Sequence, residues 1–155
     1  KDYSNKDAWT SYRIGESFMQ YDDVDNAILF YQKAVQLAPY NLEFRNKYGV
    51  GLVKQNKISF AKDEFEFILN EDSHFISAYT NLGYVYFLLG SHEQSLIYYD
   101  YALLLDPNNE KALLNKAELL LFEKKKKDAF ICLDKLLLIN PNNEEAKQLL
   151  NHHAI

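Results

Sequence analysis

The 155-residue chain is 48% hydrophobic and 25% charged, a composition that excludes a disordered tail and a length that permits a sizeable core. Its net charge of −5 argues against sequence-independent nucleic-acid binding, and five glycines with three prolines supply little turn material for an all-β fold. Cys132 is the single cysteine, so no intrachain disulfide can form, and no apolar run approaches the roughly 20 residues of a membrane span. No signal-peptide pattern opens the chain, yet it starts at Lys1 rather than Met, which suggests a fragment or a processed product. The compartment stays open, with a cytoplasmic location favoured over a periplasmic or exported one.

Apolar residues recur at helical spacing, as in Leu82, Tyr86 and Leu89 and then Leu96, Tyr99 and Leu103. In chain order the pattern predicts helices over 8–21, 24–37, 42–55, 58–71, 76–89, 92–105, 110–123 and 126–139. A last helix over 143–152 is expected to cap the stack. Polar stretches between the two helices of each pair (DDVD at 22–25, QNK at 55–57, GS at 90–91, EKKKK at 123–127) are long enough only for tight turns.

The pentapeptides DPNNE (106–110) and NPNNE (140–144) lie 34 residues apart, and the interval holds along the chain without a gap. Frames starting at Ala8, Leu42, Ile76 and Glu110 place Gly15, Gly49, Gly83 and Ala117 at position eight. Position twenty holds Ala27, Ala61, Ser95 and Ala129, and position twenty-four holds Tyr31, Phe65, Tyr99 and Leu133. Pro39, Ser73, Pro107 and Pro141 fill position thirty-two. The small residues mark where the two helices of a frame cross closely, and the bulky ones fill the space beside the crossing.

These residues resemble the tetratricopeptide-repeat (TPR) pattern of Leu-Gly, Tyr, Ala, Phe and a terminal Pro at set offsets. The resemblance covers repeats 8–41, 42–75, 76–109 and 110–143, and implies a single all-α domain over 1–155. That domain would be an α-solenoid, a right-handed superhelix of antiparallel helix pairs. Repeat 2 departs most, with Ile68, Glu71 and Ser73, so its closing loop EDSHF (71–75) is expected to be looser or shifted. Lys116 at a normally apolar position suggests a more open surface near the C-terminal end, and Trp9 is expected to stand in for the small Ser11.

Catalytic signals are weak, and no enzymatic activity, cofactor or metal is expected. The four histidines lack metal-ligand spacing, Cys132 reads as a small buried hydrophobe, and Gly49–Lys54 lies in a helix rather than after a strand. Asp22, Asp23 and Asp25 fall in a turn and offer a helix N-cap sooner than a calcium site. Lys124–Lys127 reads as a solvated turn. In DPNNE and NPNNE, Asn109 and Asn143 are the expected caps of the helices that follow.

The resemblance further implies that the first helix of each repeat lines a concave groove for an extended peptide. Carried across by position, the candidate binding residues are Asn46, Val50, Asn81, Tyr84, Phe87, Lys111, Asn115 and Glu118. The asparagines form an amide ladder that can both donate to and accept from a peptide backbone. The family's carboxylate-clamp subtype would need cationic residues that this chain lacks, since only Asn81 and Lys111 match its pattern. The expected function is a non-enzymatic scaffold for a protein or peptide partner. Two alternatives stand beside it: self-association into homo-oligomers, suggested by Tyr98 and Tyr101, or an accessory region of a larger protein.

Overall fold

The computed structural model describes residues 3–154. Among them are nine helices: α1 (Tyr3–Gln20), α2 (Val24–Leu37), α3 (Leu42–Lys54), α4 (Ile58–Glu71), α5 (Ile76–Leu88), α6 (His92–Leu105), α7 (Glu110–Phe122), α8 (Lys126–Ile139) and α9 (Glu144–His153). Eight of these boundaries lie within a residue or so of the sequence expectation. The exception is α1, which begins five residues before the first frame. The chain divides into two compact units, 1–78 and 79–155.

Within each repeat the second, or B, helix lays a ring or branched chain on the backbone of the first, or A, helix. A Cβ placed on Gly49 of α3 would lie 2.6 Å from the Phe65 ring of α4, and one on Gly15 of α1 would lie 2.7 Å from the Tyr31 ring of α2. Gly83 of α5 faces Tyr99 of α6 in the same way. In the fourth repeat Ala117 is tolerated because Leu133, not an aromatic ring, stands opposite. Ala27, Ala61, Ser95 and Ala129 at position twenty are all fully buried, and the Ser95 hydroxyl donates to the Gly83 carbonyl at 2.6 Å. The core of the first unit gathers around Tyr12, Tyr31 and Phe44, and that of the second around Leu113, Leu120, Leu133 and Leu136. Trp9 packs edge-on to Phe44 at 4.8 Å and to Tyr12 at 5.5 Å, while Ser11 beside it is buried.

Turns within repeats follow one design. The second residue after each of α1, α3, α5 and α7 is left-handed: Asp22 (φ 58°), Asn56 (φ 61°), Gly90 (φ 76°) and Lys124 (φ 61°). Each amide there bonds back three residues and the next amide bonds back five, as in Asn56 to Val53 (2.9 Å) and Lys57 to Leu52 (2.9 Å). This paired closure satisfies the last carbonyls of the A helix. Lys124 is thus a turn residue in a conformation that costs an L-amino acid about 1 kcal/mol. Of the lysines after it, Lys125 pairs with Glu123 at 2.7 Å and Lys126 lies over the Phe130 ring at 5.4 Å.

Joints between repeats follow a second design, and here the structure corrects the expectation for EDSHF. Helix α4 stops at Glu71 and α5 starts at Ile76, in full register with the other joints. The Asp72 carboxylate accepts from the His74 amide at 2.9 Å, as Asp106 does from Asn108 and Asn140 from Asn142, both at 3.1 Å. The same turn stands beside Pro107 and Pro141 at the later joints, and at this one it keeps the register with Ser73 in place of proline. Asn41, Asn109 and Asn143 then cap α3, α7 and α9, each accepting an amide three residues on. Asp23 caps α2 in the same manner, and no group of three metal-ligating side chains occurs among the described residues.

Two outcomes are expected from these contacts. Gly49→Ala should destabilise the fold, because about 1–3 kcal/mol of overpacking exceeds about 1 kcal/mol of helix propensity gained. Adding Phe65→Leu should recover part of the loss, measured as a coupling energy in a denaturation cycle. Separately, Lys124→Gly should raise unfolding free energy by about 1 kcal/mol while Gly90→Ala lowers it by a similar amount.

Candidate functional site

In the first unit, polar side chains of α1, α2 and α3 bond to one another. Glu16 of α1 accepts from the Tyr31 hydroxyl of α2 and from Lys47 Nζ of α3, the latter at 3.1 Å. The Tyr12 hydroxyl donates to Glu43 at 3.1 Å. Burial first, and then the Glu16 carboxylate, push the Tyr31 phenol well above its ordinary range. Arg45 of α3 turns instead to α4, pairing with Glu64 at 2.7 Å and lying 3.8 Å over the Phe67 ring. Asn46 and Val50 of α3 are half-buried.

The second unit brings the other six candidates onto α5 and α7. Asn81 is buried, and its Oδ1 accepts from Lys111 Nζ at 2.9 Å, joining the two A helices. Asn115 reaches the hydroxyl of Tyr99, whose pKa burial drives strongly upward. Tyr84, 40% exposed, stacks on Phe87 at 6.4 Å. Phe87 meets Phe122 edge-on at 5.5 Å and His92 face-on at 5.5 Å, and His92 Nδ1 lies 3.6 Å from Glu123 Oε1. Phe122 is 63% exposed, so an aromatic surface faces solvent on these helices. Lys116 lines an open cleft of about 290 Å³ with Leu96, Leu120, Asp128, Ile131 and Cys132. It reaches Asp100 of α6 at 2.6 Å and lies half-buried.

Beyond this surface Glu118 of α7 and five residues of α9 line an open cleft of about 770 Å³: Glu145, Gln148, Leu149, Asn151 and His152. Desolvation, and next the neighbouring Glu145, raise the pKa of Glu118. The α9 residues were not among the sequence candidates. The signal was present, because adding 34 to positions 111, 114, 115 and 118 gives Glu145, Gln148, Leu149 and His152. Helix α9 is therefore phased as a fifth A helix, and Ala146 packs in the core as Ala112 does.

Tetratricopeptide-repeat family models match residues 10–41, 76–109 and 110–143. The chain belongs to the tetratricopeptide-repeat family. TTC0263, a thermophilic TPR protein of Thermus thermophilus, superposes with a TM-score of 0.86 at 16% identity, covering 94% of this chain and 82% of its own. YrrB, described as a TPR protein with an unusual peptide-binding site, gives 0.74 at 19% identity, covering 93% and 74%. The first TPR of Spaghetti (RPAP3), bound to the HSP90 peptide SRMEEVD, gives 0.70 at 22% identity, covering 74% and 91%. No curated protein matches the sequence. The fold is thus that of an α-solenoid interaction scaffold, and no helix among the described residues is long and apolar enough to cross a membrane.

The raised pKa of Glu118 carries a sign. Its folded state favours the protonated carboxyl, so its contribution to stability is present at low pH and lost as pH rises through its titration. Glu118→Gln is expected to raise the melting temperature at neutral pH, and the gain should vanish as the pH falls below the carboxylate range.

Proposed function

We propose that the chain is a non-enzymatic scaffold that holds a peptide segment of a partner protein against its A helices. The observation that carries this reading is the exposed aromatic surface of Tyr84 and Phe122, buttressed by Phe87, on the face where the family positions fall. Rings so exposed contribute little to the fold, but large contact area at low entropic cost to a ligand. Lys111, steadied by Asn81, and Asn115 supply polar contacts beside them. Two structural neighbours are described with peptide sites, YrrB and the RPAP3 domain, which supports peptide recognition as the use of this fold.

Selection from a random displayed-peptide library on the intact chain tests the proposal. Selected peptides are expected to lose about tenfold or more in affinity against Tyr84→Ala and Phe122→Ala, with helicity unchanged. Peptides indifferent to both variants, or no selected peptide at all, would defeat it.

A second reading, self-association, is favoured by the exposed apolar side chains of two B helices. Ile97, Tyr101 and Leu104 line one side of α6, and Ile131 and Leu138 stand out from α8. Light scattering across a concentration series should then show mass increasing, and Leu104→Glu with Leu138→Glu should abolish the increase. A monomer throughout sinks this reading.

A further inference from the structure

We infer that the A-helix face of residues 79–155 is a receptor for a cationic side chain, an arginine or lysine of the partner segment. The aromatic walls would be Tyr84 and Phe122, and the counter-charges Glu118 and Glu145. This rests on the peptide-binding reading above and specifies the chemistry of its partner.

Three independent features converge. Phe87 and Phe122 stand at 88° and Tyr84 lies nearly parallel to Phe87, so the rings form a corner rather than a flat patch. Phe87 is already faced by Tyr84 and His92, which leaves Tyr84 and Phe122 as the exposed rings. An exposed ring face attracts a cation, and attracts arginine best because guanidinium also stacks.

Carboxylates stand where that cation's charge would fall. Glu118 precedes Phe122 by four residues and so shares its side of α7. Phe87 of α5 meets Phe122 of α7 and Asn81 of α5 accepts from Lys111 of α7, so the two helices lie side by side. Glu118 also shares its open cleft with Glu145, the apolar Leu149, His152 and the amides of Gln148 and Asn151. An arginine stem could lie on Leu149 with its head between the carboxylates.

Neither carboxylate is neutralised. Among the described residues Glu16, Glu64, Glu66, Asp100, Glu123 and Glu144 have basic partners within 4 Å, whereas Glu118 and Glu145 have none. Lys111 is bonded to Asn81 and Lys147 to Glu144, and the base that lines the cleft itself is His152. Repulsion from Glu145 adds to desolvation in disfavouring ionised Glu118, and the charge of an arriving cation opposes both.

The test uses fluorescence anisotropy with a labelled, Gly-Ser-spaced triarginine peptide. Its counterpart carries citrulline, which keeps the shape of arginine and removes the charge. The arginine peptide should bind about tenfold or more tightly than the citrulline one. Glu118→Gln with Glu145→Gln should reduce it to the citrulline level and flatten its salt dependence, and Phe122→Ala should weaken it. A control, Glu71→Gln with Asp134→Asn, removes equal charge from exposed positions elsewhere and should leave binding nearly unchanged.

Equal binding of the two peptides, or equal loss in the control, overturns the inference. If library peptides respond to Tyr84→Ala and Phe122→Ala but are not enriched in arginine or lysine, the cation receptor fails while peptide binding stands. If no peptide of any composition responds, both fall.

Discussion

The contact on which the architecture rests is a ring laid on bare backbone. A glycine in the A helix lets the B helix approach until an aromatic side chain touches the helix itself, at Gly15, Gly49 and Gly83. Close approach buries the small residue at position twenty completely. The fourth repeat reaches the same packing by another combination, Ala117 against Leu133. The volume shared across the crossing is kept, although neither residue is. Glycine and ring are therefore one unit of information, and each is intelligible only through the other.

Two turn designs convert that unit into an array. Within a repeat, a left-handed residue reverses the chain and closes the A helix with two backbone bonds. Between repeats, a side-chain turn at Asp72, Asp106 or Asn140 sets up the next helix. Both are local and short-ranged. The register therefore survives the loss of proline at Ser73 without any adjustment of helix length.

Much of this was legible in the sequence because helix ends depend on punctuation that a period reveals. The helices over 24–37, 58–71, 92–105 and 126–139 coincide with α2, α4, α6 and α8 for that reason. The early start of α1 was not legible, since residues before Ala8 carry no apolar repeat. Nor was the regularity of EDSHF, where the weight given to a missing proline hid the turn that Asp72 makes on its own. Side-chain pairing lay furthest from view. That Glu16 would hold Tyr31 and Lys47, that Asn81 would hold Lys111, and that Lys116 would find Asp100 depends on distances across helices. The α9 part of the candidate site was missed for a simpler reason: a helix read as a cap was not counted in the frame.

Counting it has a consequence for the length of what is bound. Packed helices lie about 8–10 Å apart, and an extended chain advances about 3.3 Å per residue. The A helices α5, α7 and α9 would then address an extended segment of roughly six to nine residues. Two of them would read only about four to six. On the proposed peptide-binding reading, α9 would lengthen the contacted segment by about half, with Glu145 and His152 on the added stretch.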